Sequence, residues 1–69
     1  MFSIGEIVVV KKGSTLYDDN YYIHITKAKK YGMIIEEPVL GGDFETWLKI
    51  YMDNKKFDVC SFFVEKITT

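Results

Sequence analysis

Apolar and polar positions alternate most cleanly over Phe44–Asp53, FETWLKIYMD. Phe44, Thr46, Leu48, Ile50 and Met52 fall on one side, and Glu45, Trp47, Lys49, Tyr51 and Asp53 on the other. Successive side chains of a strand point to opposite faces, so the pattern predicts a half-buried strand with a core face and an outer face. The outer face is unusual in carrying Trp47 and Tyr51 between charges. Upstream, Ile4–Lys11 is rich in β-branched residues and predicts the first strand. Lys12–Thr15 is turn chemistry, and the segment through Asn20 reads as a long loop ending in the polar run Asp18-Asp19-Asn20. Tyr21–Thr26 alternates Tyr22, His24 and Thr26 against Tyr21, Ile23 and Ile25, the pattern of a short strand.

Lys27–Lys30 is a basic patch, after which Gly32 permits a bend into a strand over Met33–Glu37. Pro38 lacks an amide donor, so a ladder should end near it. Gly41-Gly42-Asp43 signals a turn into the central strand, and Asp53–Lys56 closes a tight hairpin to Phe57–Ser61. Ser61–Val64 reads as a 3₁₀ turn and Glu65–Thr68 as a short closing strand. No segment carries an apolar stripe at helical spacing over the length of a helix. The expected architecture is one all-β domain over residues 1–69: five or six antiparallel strands closed into a small barrel, because closure removes exposed edges. The expected core is Ile4, Val8, Val10, Met33, Ile35, Phe44, Leu48, Ile50, Met52, Phe57, Val59, Val64 and Ile67.

Composition narrows the function classes. A 69-residue chain has a marginal core, so much of its 48% apolar and 16% aromatic content is needed for folding. A net charge of −1 and a pI of 5.7 argue against a domain built mainly to grip phosphates. The longest apolar runs, such as Ile7–Val10, are far too short to span a membrane. The N-terminal MFSIGEIVVVKK has no basic stretch ahead of its apolar residues, unlike a signal peptide. A single cysteine, Cys60, permits no internal disulfide and fits a reducing compartment.

Three pieces of the chain together resemble an SH3-like small barrel. Ile4-Gly5-Glu6-Ile7-Val8-Val9-Val10 resembles the first strand of KOW and Tudor barrels, and Gly32-Met33-Ile34-Ile35-Glu36 resembles their second. Trp47–Val59 followed by Ser61-Phe62-Phe63-Val64-Glu65-Lys66-Ile67 resembles the distal hairpin, 3₁₀ turn and last strand of the SH3 family. The resemblance covers most of the chain apart from Lys12 to about Tyr31. A peptide-binding SH3 domain places an ALYDY-type segment before its glycine-acidic strand, whereas Thr15-Leu16-Tyr17-Asp18 follows that strand here. The layout is also similar to very small barrels encoded by tailed phages. By fold-level analogy this implies a free-standing viral or phage-type protein, in the host cytoplasm or the virion.

Candidate chemistry is sparse. A Cys–His pair needs hydrogen-bond contact and an orienting group, and His24 and Cys60 fall on different predicted strands. A zinc site of clustered Cys and His is not available with one of each. Asp18-Asp19-Asn20 is consecutive and lacks the alternating ligand spacing of a calcium loop. No Lys-Ser/Thr follows Gly41-Gly42 to make a phosphate loop. The expectation is therefore no catalytic residue, metal or cofactor.

The aromatic residues remain. Trp47 and Tyr51 share the outer face of the central strand, and Tyr17, Tyr21, Tyr22 and Tyr31 sit in or beside the long loop. They supply a second small core under that loop, a protein interface, or a stacking surface for bases. The leading expectation is a non-enzymatic module docking on a protein partner, a virion component or host protein, through these six residues. The rival is a KOW- or Tudor-like nucleic-acid or ribonucleoprotein binder using Lys27, Lys29 and Lys30. Edge-strand pairing of Tyr21–Thr26 would give a homo-oligomer.

Overall fold

The computed structural model describes residues 1–42 and 45–67. Eight strands form one antiparallel sheet: β1 (Ile7–Val10), β2 (Thr15–Asp18), β3 (Ile23–Ile25), β4 (Lys30–Ile34), β5 (Val39–Leu40), β6 (Thr46–Met52), β7 (Lys55–Cys60) and β8 (Val64–Lys66). A 3₁₀ turn, Ser61–Phe63, connects β7 to β8 as its sequence predicts. The strands lie in the order β3-β2-β7-β6-β4-β1-β8, with β5 added beside β6. Among the described residues no ladder joins β3 to β8, so the expected closed barrel is not what the pairing pattern draws. No helix among these residues is long and apolar enough to cross a membrane.

The alternation of FETWLKIYMD is realised in the expected phase. Leu48, Ile50 and Met52 of β6 are buried, and they meet Val8 and Val10 of β1, Phe57 and Val59 of β7 and Val64 of β8 in one core. The β6–β7 hairpin turns on Asp53-Asn54, both with positive φ (55° and 63°), the geometry of a tight two-residue hairpin turn whose twist matches the flanking strands. Asp and Asn tolerate that region better than other residues with side chains.

Three expectations are corrected. The segment after β1 is not a long loop: Thr15–Asp18 is a strand between β3 and β7, and its Leu16 is fully buried. Four residues with one inward apolar side chain make a weak local signal, and pairing with Phe57–Val59 of β7 supplies the missing order. The phase of β4 is shifted by one residue. Ile34 is buried, while Met33 is exposed and Ile35 half-buried. Gly32 is the inward position before it, where a Cβ would stand 3.1 Å from Ile50 Cδ1. An inward glycine has no side chain to mark the core face, so the apolar period misleads by one. Ile4 and Ile67 are also exposed, because Ile4 lies in a turn led by Gly5 (φ 89°) and Ile67 follows the end of β8. Phe44, expected in the core, lies outside the described residues, as does Thr68.

A polar clasp fastens the chain where β1 crosses to β2. The Lys11 carbonyl accepts from Ser14 Oγ at 2.6 Å and from Thr26 Oγ1 at 2.7 Å. The Ser14 amide donates to Thr26 Oγ1 at 2.9 Å, and the Lys11 amide to the Phe63 carbonyl at 3.1 Å. Ser14 and Thr26 are both buried; the Ser14 amide bond to Thr26 Oγ1 is buried, and the two hydroxyl bonds to the Lys11 carbonyl are partly so. Thr26→Val keeps the shape but removes a buried hydroxyl that both donates and accepts. It should lower unfolding free energy by about 2 kcal/mol, measured by urea denaturation, against a near-neutral effect of the surface change Lys12→Ala.

Candidate functional site

The outer face of the sheet carries the aromatic residues. Tyr17 on β2 and Trp47 on β6 are both half-buried, with ring centroids 6.0 Å apart and planes inclined at 57°. With Tyr21 and Asp58 they line a cleft of about 470 Å³. Tyr21 is 79% exposed and stands at φ 64° in the β2–β3 turn, which presents its ring at the rim. Gly41 packs under the indole: a Cβ there would lie 3.0 Å from Trp47 Cδ1 and Nε1. On the other side of the Tyr17–Trp47 pair is a smaller hollow of about 190 Å³, reaching Glu45, Cys60 and Phe62.

Six aromatic residues are expected at the site, and the structure gathers three of them. Tyr17, Tyr21 and Trp47 share the cleft. Tyr51 lies on the same face of β6 but lines a separate hollow with Asp18–Asn20 and Asn54–Lys56. Tyr22 is exposed and not among the cleft's lining residues. Tyr31 is on β4, opposite Val9, with Lys29 Nζ 6.0 Å from its ring centre. A second core beneath the loop would want these rings covered, yet Tyr21, Tyr22 and Tyr31 are exposed. Of the basic run, Lys27 and Lys29 are exposed, while Lys30 Nζ is 2.6 Å from Asp53 Oδ2.

Asp58 and Phe62 are site residues that the pattern reading passes over. Asp58 is legible once the hairpin turn is placed, since a two-residue turn at Asp53-Asn54 sets it opposite Lys49. Lys49 Nζ lies 3.3 Å from Asp58 Oδ1 and 3.8 Å from Asp19 Oδ1. Burial works to lower the Lys49 pKa, but the charge and hydrogen bond of Asp58, with Glu36 and Asp19, outweigh it and hold the pKa raised. One ammonium thus serves both Asp58, which lines the cleft, and Asp19, which lines the hollow beside Tyr51.

Asp18 shapes the turn that carries Tyr21. Its Oδ1 accepts from the amides of Asn20 (2.9 Å) and Tyr22 (3.0 Å), and its Oδ2 is 2.8 Å from His24 Nε2. His24 in turn meets Phe57 edge-on at 5.3 Å, while Cys60 is buried beside Trp47; the two residues serve different surroundings. The His24 hydrogen bond holds the Asp18 carboxyl below its usual range; partial burial opposes this, and the Tyr22 and Asn20 amides add to it. Comparison of the chain with family models, with curated proteins and with solved structures finds no match.

A depressed folded-state pKa means that Asp18 stabilises the fold above its unfolded value, about 4, and loses that contribution as pH falls through the lower folded value. Asp18→Asn should therefore be less stable than the parent at neutral pH. The difference should shrink toward acid, read from thermal unfolding across a pH series.

Proposed function

We propose that the protein is a non-enzymatic interaction module, an SH3-like barrel in type, that docks a protein partner through the Tyr17–Trp47 cleft. The observation that carries this is an aromatic pair on the outer face of the sheet, flanked by open hollows and topped by an exposed Tyr21. Trp and Tyr contribute large contact area at small entropic cost, which is why they anchor interfaces. The β6–β7 hairpin, 3₁₀ turn and β8 returning onto β1 support the barrel type. The carboxylate of Asp58 in the cleft lining favours a partner segment that presents a Lys or Arg, whose cation can lie over the indole. The resemblance to small phage barrels suggests a partner within a larger assembly.

The test is a tagged pull-down washed at low and high salt, with a parallel nuclease-treated sample. A protein partner should survive both treatments, and Trp47→Ala should weaken it by about 30-fold or more, the cost of about 2 kcal/mol at a central aromatic. Trp47 is the only tryptophan, so its emission reports occupancy of the cleft directly. The proposal fails if Trp47→Ala combined with Tyr51→Ala leaves every partner bound while the fold survives. If all recovered material depends on nucleic acid, the reading through Lys27, Lys29 and Lys30 replaces it.

A further inference from the structure

The two ends of the sheet are guarded differently. At one end, β8 reads Val64-Glu65-Lys66 and carries charge of both signs along the edge. At the other, β3 reads Ile23-His24-Ile25, with Ile23 61% and Ile25 63% exposed and no Lys, Asp, Glu or Pro within it. Natural sheets usually blunt an edge with charge, proline or a bulge, because unpaired backbone groups recruit another strand. Among the described residues β2 is the sole ladder partner of β3.

The hydrogen-bond phase shows which groups face outward. The Tyr22 carbonyl accepts from the Asp18 amide; Thr26 donates to the Ser14 carbonyl and accepts from the Gly13 amide. Inward bonding recurs every second residue of an antiparallel ladder, so Tyr22, His24 and Thr26 face β2. The N–H and C=O groups of Ile23 and Ile25 therefore point away from the sheet. Their side chains stand on the outer face opposite Tyr17 and Thr15.

We propose that the protein forms a two-fold dimer in which β3 pairs antiparallel with β3 of a second copy, centred on His24. This register puts Ile23 of each copy opposite Ile25 of the other. Each such pair exchanges two N–H···O bonds, and the isoleucines stack across the seam. His24 opposes its counterpart and keeps its own Asp18 and Phe57 contacts. The flanks fix the direction. The turn before β3 carries Asp19, whose side chain is 63% exposed although Lys49 Nζ stands 3.8 Å from it, and the bend after β3 carries Lys27 and Lys29. Antiparallel pairing sets the acid of each copy against the lysines of the other at both ends, whereas parallel pairing would set like against like. A self-complementary patch of this kind is what a two-fold interface requires. With a three-residue strand at its centre, the dimer belongs to the weak, concentration-dependent class.

Sedimentation of the intact protein should show the apparent mass rising from 8.1 kDa toward twice that value with concentration. Amide exchange at Ile23 and Ile25 should slow over the same range. Ile25→Pro removes an outward N–H without removing a bond to β2 and should weaken association at least about tenfold. Ile23→Lys with Ile25→Lys should do the same and serves if the proline variant does not fold. Asp19→Lys alone, and Lys27→Glu with Lys29→Glu alone, should each be monomeric, because each places like charges at both ends. Mixing those two variants should restore a dimer, since every end then pairs opposite charges. A protein that stays at 8.1 kDa with fast exchange at Ile23 and Ile25 overturns the proposal. So does a dimer that persists in both β3 variants, or charge variants that do not complement each other.

Discussion

The Lys11 carbonyl is the point on which the fold turns. It lies where the chain leaves β1 and must cross to β2, on the far side of β4, β6 and β7 in the strand order. Backbone groups at such a crossing have no ladder to satisfy them, and burying them unpaired is costly. Ser14 and Thr26 resolve this with two hydroxyls aimed at one oxygen, while the Lys11 amide reaches Phe63 on the 3₁₀ turn. The crossing, the end of β3 and the approach to β8 are thereby held together. No buried side-chain N or O is left without a partner among the described residues.

The outer face depends on that fastening. Tyr17 is three residues beyond Ser14 on a strand that has little apolar content of its own. Its position beside Trp47 follows from β2 being held between β3 and β7. The Asp18 turn then sets Tyr21 at the rim through three hydrogen bonds to one carboxylate. The cleft is therefore built from a strand and a turn positioned by polar groups and from the central hairpin, which its buried apolar face positions. The apolar core beneath it is contributed mostly by β1, β6 and β7.

What could be read from the chain follows from how strongly each segment marks its own faces. FETWLKIYMD alternates through its whole length, and the buried Leu48, Ile50 and Met52 and the outward Trp47 and Tyr51 match it. Serine and two phenylalanines after a strand were sufficient for the 3₁₀ turn. TLYD was not legible as a strand because its order comes from a partner 39 to 43 positions away in Phe57–Val59. The phase of β4 was hidden because its core position is occupied by Gly32. The aromatic residues could be nominated from the sequence, but not sorted. Which of them meet depends on strand order, and that placed Tyr17 and Tyr21 with Trp47 while leaving Tyr31 on the far side of β6.

The pairing of β1 has a consequence for how the molecule comes to exist. The hairpins β2–β3 and β6–β7 are local, and such contacts close quickly. β1 has no sequence neighbour for a partner: it joins β4 and then β8. During synthesis β1 is made before either of its partners, and its second edge stays unpaired until Val64–Lys66 arrives to complete the ladder. A chain in which β8 has yet to dock keeps an open edge on β1, the kind of partly built sheet that chaperones bind and that aggregates when they do not.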